Sequence, residues 1–326
     1  MQNQNLHAYV DTPQAEALAD APIVLMQWNV DDAVREEQFE QSRWANRIDR
    51  ILAYIALVRP AILCLEEVTQ RAHRTQLIAG LSALGYDSTY GRRNSTPGAT
   101  SNLIAWDASR FYLCWTENVQ LLGEPEGDRD VRTLPADNVN AAGWGCNLLV
   151  ARLAECAPPE LGGRLWVPPR LITVGAAHFP IHIPSRNASF DALAQWIASQ
   201  PGGDWIAAGD LNAFENQGGA QQVAKIAAAA LEAGGTVVGE EGVSDQSRAP
   251  MRGTFFGFDH DRFRFPLGGP LDPLDYVAVG PAFEVGQVAF GTRSMLVPEP
   301  PEFSTTSLPS DHLPVIVTIA RRPVPQ

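Results

Sequence analysis

The chain has no apolar run approaching the roughly 20 residues that a membrane-spanning helix needs. Its N-terminal segment carries neither the basic residues nor the apolar stretch of a secretory leader, so the expected localisation is cytoplasmic. Positive charge is scarce: 24 Lys and Arg face 37 Asp and Glu, a formal net charge of −13. Duplex DNA binding depends on neutralising phosphates, so this balance argues against a broad basic surface for duplex. It leaves room for a local basic groove or a cation that supplies the missing charge. Cysteine is rare too. Cys64, Cys114, Cys146 and Cys156 show no CxxC spacing, which argues against a zinc site. Cys64 sits in an apolar run and reads as a small buried hydrophobe, while Cys146 and Cys156 could pair only in an oxidising compartment. No short-period repeat is present, which excludes a solenoid.

What remains is an ordinary globular balance, 45% hydrophobic and 19% charged over 326 residues, enough for a substantial core. Residues 1–21 read as a loosely ordered extension, 22–320 as a single domain and 321–326 as a tail. Trp44, Ile48, Ile51, Leu52, Ile55 and Val58 recur at helical steps and predict a helix over 42–58. Arg59-Pro60 ends it, since the residue before Pro is pushed out of the helical region. Further helices are expected at about 72–84, 188–199 and 219–232. Short apolar runs predict strands at 23–28, 62–66, 102–106, 111–115, 146–153, 171–177, 204–209, 274–279, 285–290 and 313–319, with another near 253–258. The acidic stretch 123–140, the Pro/Gly-rich stretch 158–169 and 259–273 read as loops. Both halves contain a strand ending in Asn or Asp followed by a helix, a weak two-fold echo.

Polar residues stand where these apolar runs stop. Asn29 closes the first run, Glu67 the second. His178 follows 171–177, and Asp210 and Asn212 follow 205–209. Asp275 precedes one late run; Asp311 and His312 precede the last. Taken singly, a strand-end Asp or Asn is usually a turn former, and a lone His is more often structural. Together they point to one convergent site. Asn29, Glu67 and Asp311 offer hard oxygen donors of the kind that suit Mg²⁺ or Mn²⁺. Asp210 and Asn212, two residues apart, would share one side of an extended segment, the first activating water and the second steadying a charged oxygen. Asp275 could orient His312, and His178 is a candidate donor to a phosphate oxygen.

The stretches Gln27-Trp28-Asn29-Val30, Leu65-Glu66-Glu67-Val68, Ala177-His178-Phe179, Gly209-Asp210-Leu211-Asn212, Leu274-Asp275-Tyr276-Val277 and Ser310-Asp311-His312-Leu313-Pro314-Val315 span nearly the whole chain. In this order they resemble the endonuclease/exonuclease/phosphatase superfamily, the group of deoxyribonuclease I, exonuclease III, the neutral sphingomyelinases, the inositol polyphosphate 5-phosphatases and the deadenylases. Trp44-Ala45-Asn46-Arg47 and Gly253-Thr254-Phe255-Phe256-Gly257-Phe258 look like its bacterial metal-dependent hydrolases.

The resemblance implies an α/β fold, a four-layer α/β/β/α sandwich with two central mixed sheets (deoxyribonuclease I-like). It implies a Mg²⁺ or Mn²⁺ site at Asn29, Glu67 and Asp311, with Asp31 as the extra acid of some DNA-repair members. It implies catalytic roles for His178, Asp210, Asn212, Asp275 and His312. Glu66 departs from the Gln of many relatives, and Ala177 and Phe256 depart from polar residues, which leaves the substrate open. The Tyr or Arg that nuclease members use between Glu67 and His178 has Arg92, Arg93, Asn94 and Asn102 as candidates.

The resulting expectation is a divalent-metal-dependent phosphoesterase. Its expected partner is a phosphate-ester substrate, with a small molecule or lipid head group favoured by the charge. A nuclease acting on DNA or RNA is the alternative, and a non-catalytic scaffold on the same fold a third reading. Arg262-Phe263-Arg264-Phe265 is a candidate substrate-recognition loop, or equally a solvated one.

Overall fold

Along Ile23–Asn29, the first strand, side chains alternate between two interiors. Ile23 and Leu25 join one buried cluster with Cys64, Val174, Ala208 and Val277, while Met26 and Trp28 join another with Ile48, Ile51 and Ile55. Burial on both faces is why the strand reads as an unbroken apolar run. The same alternation organises the whole protein.

The chain is described from a computed structural model, over residues 21–30, 43–68, 70–92, 101–120, 147–156, 170–180, 183–200, 202–214, 217–238, 274–290, 310 and 312–322. Among these residues the order is β1 (Ile23–Asn29), α1 (Trp44–Val58), β2 (Ile62–Glu66), α2 (Arg71–Ala83), β3 (Tyr86–Arg92), β4 (Ser101–Asp107), β5 (Phe111–Gln120) and β6 (Asn147–Glu155), followed by β7 (Leu171–His178), α3 (Ile183–Ala198), β8 (Trp205–Asp210), α4 (Gly219–Glu232), β9 (Thr236–Val238), β10 (Asp275–Val279), β11 (Phe283–Phe290) and β12 (Val315–Arg321). Two six-stranded sheets form, in the orders β11-β12-β1-β2-β4-β3 and β5-β6-β7-β8-β10-β9. Each is mixed, with one parallel pair at its centre, β1 beside β2 and β7 beside β8, and antiparallel pairing elsewhere.

The sheets face each other across one apolar cluster, and the helices cover the outer faces through two more. This is the four-layer α/β/β/α sandwich with two central mixed sheets. The two-fold echo is a property of the whole topology. The series strand, helix, strand, helix, strand, strand runs through β1 to β4 and again through β7 to β10, with matching places in the two sheets. Each series is followed by a hairpin, and each hairpin pairs into the opposite sheet: β5 and β6 beside β7, β11 and β12 beside β1. The two halves are thereby interlocked.

α1, α2 and α4 fall close to the expected limits, α4 over the same residues, while α3 begins at Ile183, ahead of the expected 188. α1 buries Trp44, Ile48, Ile51 and Ile55 of the predicted stripe and adds Tyr54, while Leu52 and Val58 pack partly buried against the same cluster. Arg59 does leave the right-handed helical region before Pro60, but to a left-handed conformation with φ 52°, not an extended one. β3 and β9 were not expected. β3 reads Tyr-Asp-Ser-Thr-Tyr-Gly-Arg, too polar to stand out, and β9 is three residues long; both are edge strands with one neighbour, which asks little of the sequence. Cys64, Cys114 and Cys156 are free thiols, and Cys64 is buried as expected. Cys146, Asp31, Arg93, Asn94, the strand expected near 253–258 with Phe256, and the 259–273 loop lie outside the described residues.

Candidate active site

The inter-sheet interior turns polar at one end. On β1 the row facing the other sheet runs Ile23, Leu25, Gln27, Asn29; on β2 it runs Ile62, Cys64, Glu66. From the other side β7 contributes Ile172, Val174, Ala176 and then His178, β8 contributes Ile206, Ala208 and then Asp210, and β10 begins with Asp275 before Val277 and Val279. Period-two alternation therefore delivers each polar residue to the same end of the same interior. The parallel pairs match as well. Asn29 lies opposite Glu66, and His178 opposite Asp210, at equivalent points of the two halves. Gly209 allows the second pairing, because a Cβ there would sit 1.8 Å from the Ala177 carbonyl oxygen.

Hydrogen bonds cross from sheet to sheet. Asn29 Nδ2 donates to Glu67 Oε1 at 3.1 Å and to Asp210 Oδ2 at 3.0 Å. Gln27 Nε2 donates to Glu66 Oε2 at 2.8 Å and to Asp275 Oδ1 at 2.6 Å. His312 Nδ1 is 2.8 Å from Asp275 Oδ2; the carboxylate accepts, which puts the proton on Nδ1 and turns Nε2 toward Asp210 Oδ2 at 3.7 Å. His312 is also held through its backbone. Trp28 Nε1 donates to its carbonyl at 3.0 Å, and its N–H donates to Ser310 Oγ at 3.1 Å, whose own hydroxyl donates to the Asn29 carbonyl at 2.6 Å. His178 Nε2 lies 3.5 Å from Glu67 Oε1 and 3.6 Å from Asp210 Oδ2.

Two site residues stand on left-handed backbone. By alternation Glu67 would face the helix side of its sheet. Its φ of 58° ends the strand and swings its carboxylate back to Asn29 and His178. Asn212 has φ 48°, so the extended segment expected over 210–212 is a turn. Its N–H donates to Asp210 Oδ1 at 2.9 Å, and its Nδ2 donates to the Phe179 carbonyl at 2.7 Å and lies 3.3 Å from His178 Nε2. The two residues do meet, through a side-chain-to-backbone turn and not through strand alternation. Such conformations in non-glycine residues cluster at functional sites.

The structure thus gathers Asn29, Glu67, His178, Asp210, Asn212, Asp275 and His312 into one cluster. Asp311 lies outside the described residues, although His312 beside it is in place. Asn102 is buried on β4 and donates to the carbonyls of Asn147 and Ala176, at 3.1 and 3.0 Å, so it clips the two sheets together. Three contributors carry roles that the reading of the sequence did not give them. Gln27 and Glu66 are fully buried polar residues inside strands, and that was the signal available. Ser310 had no signal beyond its place before Asp311-His312.

Four carboxylates, Glu66, Glu67, Asp210 and Asp275, share this end of the core. Burial raises the Asp210 carboxyl most; His312 opposes it, Asp275 adds to it, and hydrogen bonds from Asn212 and Asn29 oppose it. The result is a carboxyl pushed up to about 6. Burial, then Asp275, holds Glu66 well above the ordinary carboxylate range. Negative charge that burial disfavours at Glu66 and Asp210 is what a cation would relieve. The donors fit a hard divalent ion: the Glu67 carboxylate at the more open rim, and ligand atoms of Asp210, Asp275 and His312 within 4.8 Å of one another behind it.

The Endonuclease/Exonuclease/phosphatase family model matches residues 26–312, most of the chain. The chain belongs to that family. No curated protein matches it in sequence. Solved structures of family members match its fold. One is an endonuclease/exonuclease/phosphatase from Bacteroides vulgatus, 17% identical, with a TM-score of 0.65 over 92% of this chain and 99% of that one. Another is a mannosyl-6-phosphatase from Bacteroides thetaiotaomicron, 16% identical, with a TM-score of 0.62 over 91% and 99%. A third is D. rerio TDP2 complexed with single strand DNA product, 19% identical, with a TM-score of 0.60 over 92% and 99%. At these identities the likeness is one of fold.

Proposed function

We propose that this endonuclease/exonuclease/phosphatase family member is a Mg²⁺- or Mn²⁺-dependent phosphoesterase. It would hydrolyse a phosphodiester or phosphomonoester by in-line attack of water. The observation that carries this reading is Asp210. It is buried, is steadied by Asn29 and the Asn212 N–H, and burial raises its carboxyl above the ordinary carboxylate range, which makes it a stronger base toward water than a free carboxylate. Asp210 orients the water and receives its proton as the water oxygen bonds to phosphorus and the ester oxygen leaves. His178 and Asn212 steady the non-bridging oxygens. His312, oriented through Nδ1 by Asp275, completes the acid/base and charge-stabilising set. Asn29 and Glu67, with Asp311, would hold the metal, which when bound offsets negative charge on the phosphate and the leaving oxygen.

Support for the substrate class comes from the family and from neighbours that include a phosphatase. A nuclease is the second reading, favoured by the likeness to a protein held with a single strand DNA product. Comparing bis-p-nitrophenyl phosphate with p-nitrophenyl phosphate, with and without added metal, tests the proposal. Metal-dependent release from either supports it, and the ratio separates diesterase from monoesterase. No release from these or from a panel of nucleic acids, sphingomyelin and inositol phosphates would leave the scaffold reading.

A further inference from the structure

Arg186, on α3, is fully buried. Its Nη1 donates to the carbonyl of Asn212 at 2.7 Å, while Nε and Nη2 are buried with no hydrogen-bond partner among the described residues. The guanidinium lies 5.9 Å from the centre of the Phe214 ring. A buried guanidinium left with unsatisfied donors is costly. Filling space between a helix and a sheet does not require one, since Met would do so without the cost. Its hydrogen bond to the Asn212 carbonyl is therefore the place to look for its role.

That contact completes a clamp. The peptide before Asn212 is fixed by its N–H on Asp210 Oδ1 at 2.9 Å. The peptide after it is fixed by its carbonyl, which accepts from Arg186 Nη1 and from the Phe214 N–H at 3.0 Å. With both flanking peptide planes held, the backbone between them has no freedom, and it is held at φ 48°, a region few non-glycine residues occupy. This turn aims Asn212 Nδ2 at the Phe179 carbonyl and His178 Nε2. The Asp210 and Phe214 bonds lie within the turn itself, whereas Arg186 ties the Asn212 carbonyl to α3, outside it.

We infer that Arg186 is a positioning residue that locks Asn212 in its left-handed turn from behind and so sets the amide against His178 and Asp210. The inference rests on the phosphoesterase reading for its catalytic consequence, but not for its structural one. Arg186 touches no reacting atom; it acts through Asn212.

Arg186→Met and Arg186→Lys test it. Met keeps the bulk and loses the donor; Lys keeps a donor that can reach toward the same carbonyl. For Arg186→Met, folded by circular dichroism, kcat on bis-p-nitrophenyl phosphate with Mn²⁺ should fall about tenfold or more with KM little changed, as for a displaced catalytic group. Arg186→Lys should recover part of the loss. A crystal structure of Arg186→Met should show Asn212 out of the left-handed region. If Met does not fold, Arg186→Gln, which is polar but too short to reach the Asn212 carbonyl, replaces it with the same expected kcat loss. Wild-type kcat in folded Arg186→Met or Arg186→Gln, or Asn212 keeping its left-handed turn in the folded one, overturns the inference. A wild-type protein inactive on every phosphoester would overturn the phosphoesterase reading, and the Asn212 conformation would still judge the clamp.

Discussion

Gln27, on the first strand of one sheet, donates from Nε2 to Asp275 Oδ1 on the other sheet at 2.6 Å. The same nitrogen donates to Glu66 Oε2 at 2.8 Å. One amide thus joins two buried carboxylates across the interface between sheets, and Asp275 in turn holds His312. The cluster is not carried by either half of the chain. It exists only when the two interlocked sheets dock.

Gln27→Met should therefore affect both stability and turnover. It keeps the volume and removes the donor to two acids. Hydrogen bonds to charged groups contribute about 1.5–3 kcal/mol, so a loss of a few kcal/mol in urea unfolding is expected. With His312 less firmly oriented, kcat should fall about tenfold while KM changes little. Unchanged stability and unchanged kcat would show that the bridge does not organise the site.

Asp210→Asn and His312→Ala should each lower turnover of a phosphoester by at least about a hundredfold, the range of positioned acid/base groups. Their effects should be strongly non-additive, since His312 Nε2 and Asp210 Oδ2 face each other at 3.7 Å and would serve one step. A double variant that loses the full product of the two single effects would count against a shared mechanism.

Asp210 also predicts how stability depends on pH. Its carboxyl rises from an ordinary 3.8 to about 6 on folding, so the folded protein holds this proton more tightly than the unfolded chain. The associated stability is present below pH 3.8 and is lost as pH rises through about 6. In metal-free buffer, Asp210→Asn should raise Tm relative to wild type at pH 8, and this advantage should shrink toward zero near pH 4. Differential scanning calorimetry in EDTA checks it. An effect of the same size and sign at both pH values would contradict the assignment.

Much of this was legible in the sequence because alternation and helical spacing set the layers. The stripe from Trp44 to Val58 specified α1, and the apolar runs bounded by Asn29, Asp210 and His312 marked which end of the sheets would turn polar. What escaped has physical reasons. Gln27 and Glu66 sit inside strands whose neighbours are apolar, and their role depends on Asp275, which approaches from the other sheet. Asn212 was expected on an extended segment. Its left-handed turn carries a local bond from its N–H to Asp210 and a bond from its carbonyl to Arg186, 26 residues away, and local spacing does not encode the second. β3 is an edge strand of mostly polar residues and β9 an edge strand of three residues, so neither forms an apolar run long enough to read.

Glu67→Gln should weaken the response to Mg²⁺ or Mn²⁺ at near-normal stability. Glu67 stands at the more open rim with its side chain 19% exposed, and its replacement removes a charge but not a packed group. A titration of activity against metal should shift to higher concentration, with Tm in EDTA little altered. An unchanged metal titration would remove Glu67 from the ligand set.

The central claim is that a metal-assisted, Asp210-activated water attacks a phosphate ester. Its most direct test is hydrolysis of bis-p-nitrophenyl phosphate and p-nitrophenyl phosphate by wild type and Asp210→Asn, each with saturating Mn²⁺ and with EDTA. The account predicts turnover of at least one ester by wild type with Mn²⁺, none in EDTA, and a loss of about a hundredfold or more in Asp210→Asn with Mn²⁺. Full activity in chelator with metal content confirmed as nil, or wild-type turnover by Asp210→Asn, would contradict it.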